Sequence, residues 1–308
     1  MTDSSNSKKA LLTGATGFVG SNIARRLAAD GWEVHIIVRK TSGLDRIEDF
    51  SGKTVIHEHD GSMEKMMTIL KRASPDTVFH LASLFLAEHQ PKDVDALINN
   101  NILFGTQLVE AMVRNNAYHL INTGTSWQHY KNEDYNPVCL YAATKEAFET
   151  LLKFYTETTP LKVISLKLFD TYGPNDGRGK LLSLLEKISK NHEPLDMSPG
   201  EQLLDLVYID DVVNAFILAS ERIKENIPVN PEDFAVSSGK PIKLKELVSI
   251  YRNVTGKTLP IRWGGRRYRN REVMTPWSNG TRLPGWQPLV NIETGIRRVT
   301  SDHHRTDT

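Results

Sequence analysis

The sequence has little of several features that would place it in a specialised class of protein. It contains one cysteine, Cys139, so no disulfide can form within the chain and a reducing compartment is expected. No stretch approaches the roughly 20 consecutive apolar residues of a membrane span, and the polar first eight residues lack the apolar centre of a secretory signal. The formal net charge is only +1, so no global field favours nucleic acid or anionic lipid. We therefore expect a cytoplasmic globular protein.

What the sequence does have is an alternation of short apolar runs and helical patterns from residue 9 to about 170. Such alternation is typical of a parallel sheet covered by helices on both faces. The pattern therefore predicts an α/β fold with a Rossmann-type doubly wound sheet. The expected strands are Lys9–Leu12, Val34–Val38, Val55–His57, Val78–Leu81, His119–Asn122 and Val163–Leu168, with helices around 18–30, 92–114 and 139–157.

The alternation stops after Tyr172-Gly173-Pro174 and short elements follow, with a strand resuming at Leu206–Ile209 and a helix at 211–222. We predict a dinucleotide-binding domain over 9–170 and 205–232, and a smaller, discontinuous C-terminal lobe over 171–204 and 233–298. The terminal segments 1–8 and 299–308 are polar and are expected to be flexible tails.

Three glycines, Gly14, Gly17 and Gly20, directly follow the first apolar run. Glycines at this spacing permit a tight turn, let the backbone approach a pyrophosphate and let the next helix pack closely on the strand. Val19, Ile23 and Leu27 recur every four residues, which indicates that a helix begins here. The positive N-terminal end of this helix would face the phosphates. The loop therefore predicts a dinucleotide site; a glycine-rich turn without a ligand is the alternative.

Tyr141 and Lys145 are spaced four residues apart in an expected helix, so both side chains lie on one helical face. A lysine ammonium beside a phenol favours the phenolate, which would lower the tyrosine pKa from about 10 towards neutrality. The pair therefore predicts a proton-transfer site, although such spacing is also common by chance.

The end of the second strand bears on the choice of cofactor. An NAD site usually has an acidic residue there for the ribose 2′-hydroxyl, whereas arginine accommodates a 2′-phosphate. Here Arg39 and Lys40 supply two cations and no carboxylate, which favours NADP(H) over NAD(H), with a solvated basic turn as the alternative. His57 and His59 alternate along a strand, so no metal site is predicted.

Taken together, the motifs resemble the extended short-chain dehydrogenase/reductase family, in its sugar-nucleotide epimerase/dehydratase branch, nearly from end to end. The matching stretches are T-G-A-T-G-F-V-G at 13–20, V-F-H-L-A-S at 78–83, N-T-G-T-S at 122–126, Y-A-A-T-K at 141–145, F-D-T-Y-G-P at 169–174, D-L-V-Y-I-D-D-V at 205–212 and L-P-G-W-Q-P at 283–288. The resemblance implies that Tyr141 is the general acid and that Lys145 holds the nicotinamide ribose. It also implies that Thr125 donates a hydrogen bond to the reacting oxygen, with Ser126 as the alternative hydroxyl.

The same resemblance implies a wider set of binding residues. For the cofactor these are Gly14, Thr16, Gly17, Phe18, Val19, Arg39, Lys40, Asp60, Gly61, Leu81, Ala82, Ser83, Asn101, Tyr141, Lys145 and Phe169. For the substrate they are Ser126, Trp127, Gln128, Asp170, Arg269 and Arg271. Arginine forks suit the phosphates of a nucleotide-sugar, although the basic cluster G-G-R-R-Y-R-N-R at 264–271 could also be a solvated surface strand. Trp127 could equally be a core residue.

The resemblance leaves three reactions to compare. A 4,6-dehydratase has Asp-Glu directly after its threonine, where this chain has Ser126-Trp127. A 4-epimerase retains NAD, which suits a basic 2′-phosphate site poorly, and we therefore favour a 4-ketoreductase that consumes NADPH. Several stretches are similar to the CDP-paratose and CDP-abequose synthases, which reduce CDP-4-keto-3,6-dideoxyhexoses for lipopolysaccharide O-antigen. Leu204 and His129 depart from the usual arginine and tyrosine, so the sugar is less defined than the reaction class.

The expected partner is a nucleotide-sugar, with no nucleic acid and no membrane, and a homodimer is left as an open alternative to a monomer. A regulatory protein of the same fold that only binds NADP would keep the glycine loop but lose the catalytic pair. This chain keeps both.

Overall fold

The structure is a computed structural model that describes residues 7–225 and 230–302. The expected tails at 1–6 and 303–308 lie outside these residues. Residues 299–302 belong to the last helix rather than to a tail, and Val299 is buried there. Within the described ranges, no helix combines the length and hydropathy that a bilayer-spanning segment needs.

The described part of the chain contains thirteen strands and nine α-helices. The strands are β1 Lys9–Thr13, β2 Glu33–Arg39, β3 Thr54–His59, β4 Thr77–His80, β5 His119–Thr125, β6 Lys162–Leu168, β7 Asp170–Tyr172, β8 Leu195–Met197, β9 Leu203–Leu204, β10 Leu206–Tyr208, β11 Glu232–Val236, β12 Ile242–Lys243 and β13 Ile261–Trp263. The helices are α1 Phe18–Ala29, α2 Met63–Ala73, α3 Val94–Ile98, α4 Phe104–Arg114, α5 Leu140–Thr158, α6 Leu181–Asn191, α7 Ile209–Arg222, α8 Leu244–Thr255 and α9 Ile292–Asp302.

Seven strands form the main sheet in the order β11-β6-β5-β4-β1-β2-β3. Strand β1 pairs in parallel with β2 on one side and with β4 on the other. The chain order therefore reverses between β1 and β4, which is the topological switch point where open α/β sheets bind ligands beyond the carboxyl ends of their strands. The predicted α/β fold with a Rossmann-type sheet is confirmed.

The strands of this sheet form because their apolar residues are buried on both faces. All four residues of β4 and most of β1 and β2 are buried, as a parallel sheet covered by helices requires. Helices α2, α4 and α5 contribute side chains to one continuous core with these strands, including Met66, Leu108, Met112, Phe148 and Leu152. Burial of such side chains stabilises the fold by about 1.5–3 kcal/mol each before the entropy cost.

The chain divides into two compact units. Among the described residues, the first unit lies within 1–125, 139–167 and 213–234, and the second lies within 126–138, 168–212 and 235–308. The second unit includes segment 126–138, which the sequence-based boundaries gave to the dinucleotide-binding domain. It contains three two-stranded sheets, β10-β7, β12-β9 and β13-β8, and short loops.

A π-helical segment, Asn99–Leu103, joins α3 to α4 within the helix expected over 92–114. Such wide turns are rare and frequently occur at functional sites. This segment contains Asn101, which is 1% exposed.

Candidate active site

The turn after β1 is shaped by its glycines. Gly14 has a positive φ of 71°, and a Cβ there would lie 2.7 Å from the Ala82 backbone nitrogen. A Cβ on Gly20 would lie 2.1 Å from the Gly14 carbonyl oxygen, so α1 packs directly on the turn. Gly17 differs, because its nearest protein atom would be 3.3 Å away. The protein's own packing therefore accounts for Gly14 and Gly20 but only weakly for Gly17.

Helix α1 begins directly after Gly17, which is its N-cap and supplies no capping side chain. The first backbone N–H groups of a helix have no intrahelical acceptor and carry partial positive charge. No acidic residue lies in the first turn, which contains Phe18 and Val19, and Thr16 directly precedes Gly17. This end of the helix therefore suits an anion.

Thr13 connects the ends of β1 and β4. Its hydroxyl oxygen accepts hydrogen bonds from the backbone N–H groups of Leu81 and Ala82, at 3.2 and 3.1 Å. It also lies 2.8 Å from Nδ1 of buried His80. Because the oxygen already accepts two bonds, its own proton is directed to Nδ1. The loop Leu81-Ala82-Ser83 is thereby fixed beside the glycine turn.

Tyr141 and Lys145 lie on helix α5 and are 8% and 2% exposed. Burial raises the pKa of the Tyr141 phenol above its ordinary value, and a hydrogen bond with the Ser83 side chain opposes this. The expected lowering of this pKa is therefore wrong for the protein itself, because loss of hydration outweighs any nearby cation. Burial likewise lowers the pKa of Lys145 to about 8. A protonated phenol is the form that can donate a proton.

Polar side chains brace α5 around this pair. The Asn101 amide exchanges hydrogen bonds with the Leu84 backbone at 2.7 and 3.0 Å, and donates to the Thr144 hydroxyl at 2.9 Å. The Phe85 ring packs edge-on against Tyr141, with 5.0 Å between centroids. The π-helical segment thus holds the loop that follows Ser83 against the helix that carries the tyrosine.

Thr125 is the last residue of β5 and is 8% exposed, and Ser126 begins the short 3₁₀ turn that follows. Both hydroxyls stay candidates on this geometry. Thr125 belongs to the first unit with Tyr141 and Lys145, whereas Ser126 belongs to the second.

At the other end of the sheet's carboxyl edge, β2 ends with Arg39, and Lys40 follows; both are exposed. Within the described ranges neither side chain forms an ion pair, so both cations are available to a ligand. Asp60 and Gly61 follow β3 and are also exposed. The Asp60 carboxylate accepts hydrogen bonds from the Ser62 backbone and hydroxyl, which lower the pKa of Asp60.

The second unit gathers arginines and aromatic rings into one cluster. The Arg271 guanidinium lies over the Tyr130 ring at 4.3 Å and donates a hydrogen bond to the Asn136 amide oxygen. The Arg269 guanidinium lies 5.8 Å from the Trp127 ring centroid. Among the described residues, the Arg271 Nε atom is buried with no hydrogen-bond partner. The guanidinium groups of Arg269 and Arg271 are half-buried beside aromatic rings, so they move less freely than arginines on a solvated surface strand would. Planar guanidinium groups also suit phosphate.

The rest of this cluster varies in exposure. Trp127 is half-buried and Gln128 is fully buried, while Arg266 and Arg267 are exposed, as the surface-strand alternative expects. The Trp277 ring stacks on His129 at 4.0 Å and lies nearly parallel to Phe169 at 6.3 Å. Asp170 begins β7, with its carboxylate 3.7 Å from the Lys180 ammonium.

Comparison with known proteins agrees with this arrangement of motifs. The sequence pattern of the NAD dependent epimerase/dehydratase family matches residues 10–236. The chain belongs to that family. A CDP-abequose synthase of Salmonella muenchen is 30% identical over 96% of this chain and 97% of its own length. A probable UDP-glucuronate 4-epimerase of Rhizobium meliloti is 23% identical over 94% of each chain.

Solved structures of this family share the fold. The UDP-glucose 4-epimerase of Thermotoga maritima, solved with UDP-glucose, has a TM-score of 0.86 and is 22% identical, covering 97% of this chain and 99% of its own. The UDP-glucuronic acid 4-epimerase of Bacillus cereus, solved with NAD, also has a TM-score of 0.86 at 21% identity, with the same coverage. The predicted family resemblance is confirmed.

A nicotinamide dinucleotide, the cofactor in the family's name, fits the residues at the switch point. Gly17 has no side chain to cover the N-terminus of α1, where the first helical N–H groups would stabilise a pyrophosphate. Ser83 contacts Tyr141, Lys145 lies one helical turn from Tyr141 on α5, and Arg39 lies at the end of β2. No group of three or more His, Cys, Asp or Glu side chains in the described part of the chain could hold a metal ion.

Sequence reasoning missed several contacts that the structure shows at these sites. The contact of Ser83 with Tyr141, the stacking of Tyr130 on Arg271 and the partly buried Glu149 were not anticipated. Only Glu149 carried a usable signal, since it follows Lys145 by the same four residues that separate Lys145 from Tyr141. The other contacts depend on loops whose course the sequence pattern does not indicate.

Proposed function

We propose that this protein reduces the 4-keto group of a nucleotide-linked 4-keto-deoxyhexose with NADPH, and that its nucleotide is CDP. Family membership supports the coarser part of this proposal, a nucleotide-sugar-modifying enzyme of the NAD-dependent oxidoreductase type. The single observation that carries the finer part is the 30% identity to a CDP-abequose synthase over nearly the whole of both chains. The sequence resemblance to CDP-4-keto-3,6-dideoxyhexose reductases points the same way.

The proposed proton donor is Tyr141. Reduction of a ketone generates an alkoxide, so a proton source beside the oxygen lowers the barrier. Burial keeps the Tyr141 phenol protonated well above neutral pH, which is the state a reduction requires. The bound nicotinamide would supply the hydride. Thr125, at the end of β5, would donate a hydrogen bond to the same oxygen, and Lys145 would hold the ribose.

NADPH is the proposed cofactor because β2 ends in a cation rather than a carboxylate. Arg39 and Lys40 are exposed, and the described residues offer them no ion-pair partner. A guanidinium there can pair with a ribose 2′-phosphate, whereas NAD sites place an acid at this point.

For the substrate we propose the arginine and aromatic cluster of the second unit. Arg269 and Arg271 would bind the diphosphate through charge-assisted hydrogen bonds, with Ser126, Trp127, Gln128 and Asp170 contributing further contacts. The stacked Arg271 would be presented to the ligand with little loss of side-chain entropy, because Tyr130 and Asn136 already restrict it.

A second candidate is a 4-epimerase that retains NAD. The observation that favours it is the similarity of the whole chain to named 4-epimerases, in sequence and in fold. A 4,6-dehydratase is less favoured, because Ser126-Trp127 stand where that activity needs an acid and a base.

The deciding experiment measures cofactor consumption with a panel of CDP-, dTDP- and GDP-linked 4-keto-6-deoxy sugars. With a CDP-4-keto-3,6-dideoxyhexose, we expect one NADPH oxidised per sugar and a single configuration at C4. Inversion at C4 of a nucleotide-sugar that carries a 4-hydroxyl group, with no net cofactor consumption, would establish the epimerase. Loss of water from CDP-glucose would establish the dehydratase.

A further inference from the structure

A buried group of charges lies one helical turn beyond Lys145. Glu149 follows Lys145 by four residues on α5, so its carboxylate lies on the same face as the catalytic pair. Its side chain is 12% exposed and forms an ion pair with Lys167 of β6, whose side chain is 4% exposed. The other Glu149 oxygen accepts a hydrogen bond from the Asn122 amide of β5, at 3.4 Å. The helix and two strands therefore fix the carboxylate in place.

Charged and titratable groups reach this region from each packed element. Helix α5 contributes Tyr141, Lys145 and Glu149, and β6 contributes Lys167. His80 lies on β4 within electrostatic reach of Lys145. Asp233 of β11 lies 3.8 Å from the Lys167 ammonium but is half-exposed, so water weakens its effect. Lys145 and Lys167 are thus both buried, and the partly buried Glu149 carboxylate pairs with Lys167 and lies one helical turn from Lys145.

We propose that Glu149 is a positioning residue for the catalytic pair: its carboxylate keeps the Lys145 side chain charged and aligned, and Lys167 limits how strongly it does so. The reason is physical, since a buried ammonium is expensive unless an opposite charge lies nearby. This proposal rests on Tyr141 and Lys145 being the catalytic pair.

The electrostatics of Lys145 support this balance. Burial lowers its pKa to about 8, Glu149 opposes that shift and Lys167 adds to it. A Lys145 side chain near its midpoint at neutral to slightly alkaline pH responds strongly to small changes in its surroundings. Removing the acid and removing the second lysine should therefore move the Lys145 titration in opposite directions.

The test is an NMR titration of the full-length protein, with lysine isotopically labelled at Cε and the Lys145 signal identified from the spectrum of Lys145→Arg. In wild type, the midpoint should lie near 8. Glu149→Gln, which keeps the shape and the hydrogen-bond acceptor, should lower it by about one pH unit or more. Lys167→Gln should raise it, and the double variant should titrate between the two.

Glu157→Gln is the matched control, because Glu157 is exposed on the same helix. Its Lys145 midpoint should equal that of wild type. As the pH is raised, the affinity for NADPH, measured from NADPH fluorescence, should begin to fall at a lower pH in Glu149→Gln than in wild type.

Shifts of the same sign in both single variants, or no shift in either, would overturn the proposal. If Glu149→Gln does not fold, Glu149→Asp takes its place, because drawing the carboxylate back by one methylene should still lower the Lys145 midpoint. The NMR titration needs no sugar substrate, so its outcome is independent of whether the protein is a ketoreductase.

Discussion

The two units of this chain supply different kinds of functional group. In the first unit, candidate groups lie at the ends of long regular elements: the glycine turn after β1, the cations after β2, Thr125 at the end of β5, and the tyrosine–lysine pair on α5. In the second unit they lie on short turns, where Arg271, Tyr130 and Asn136 hold one another. The proposed catalytic groups can therefore be located from the periodicity of helices and strands, whereas the proposed substrate contacts depend on loops.

This difference yields predictions that separate the two units: first-unit variants should affect the chemical step or the cofactor, and second-unit variants should affect the sugar substrate. All rate and KM measurements below use the CDP-4-keto-3,6-dideoxyhexose proposed above.

Tyr141→Phe should have the largest effect. It removes the proposed proton donor but keeps the ring that packs against Phe85, so turnover should fall by about 10²–10⁴-fold while NADPH affinity stays nearly unchanged. Stopped-flow NADPH oxidation and a fluorescence binding titration measure the two quantities. Tyr155→Phe is the matched control on the same helix, because its hydroxyl bonds to Glu110, and it should retain turnover. A near-normal rate in Tyr141→Phe would remove the assigned general acid.

Arg271→Met should raise the KM for the nucleotide-sugar by roughly tenfold or more, because a charge-assisted hydrogen bond to phosphate contributes about 1.5–3 kcal/mol. The limiting rate with saturating sugar should change little, since the proposed catalytic groups lie in the first unit. Arg266→Met removes an exposed arginine from the same segment and is the control. Equal effects of the two variants on KM would mean that the cluster acts only through its general charge.

The sequence predicted the regular framework well for a physical reason. Buried parallel strands need continuous apolar runs, and these are visible without any knowledge of distant contacts. The π-helical segment at Asn99–Leu103 was not predictable in this way, because it depends on Asn101 bonding to Leu84 and Thr144. The raised pKa of Tyr141 was not predictable either. The sequence shows the spacing between Tyr141 and Lys145, but the burial that raises the pKa depends on the whole fold.

The glycine turn offers a smaller effect that distinguishes folding from binding within the first unit. Gly20→Ala should lower the free energy of unfolding by about 1–3 kcal/mol, because its Cβ would overlap the Gly14 carbonyl oxygen. Gly17→Ala should change stability much less, since its Cβ would be 3.3 Å from the nearest protein atom, yet it should weaken NADPH binding. Denaturant unfolding and cofactor titration of both variants make the comparison. Equal losses of stability would show that Gly17 serves packing alone.

Arg39→Asp should have the smallest effect on the overall rate and act on cofactor choice. Wild type should prefer NADPH, and the variant should lose roughly tenfold or more in NADPH affinity while NADH affinity is kept or improved, because a carboxylate can accept a bond from the ribose 2′-hydroxyl. Arg39→Lys retains the charge without the fork and should lie between the two. The measurement is kcat/KM for each cofactor at a fixed sugar concentration. If wild type has the same kcat/KM with NADH as with NADPH, the cations after β2 are a solvated turn. An epimerase that retains NAD then becomes the better account of this site.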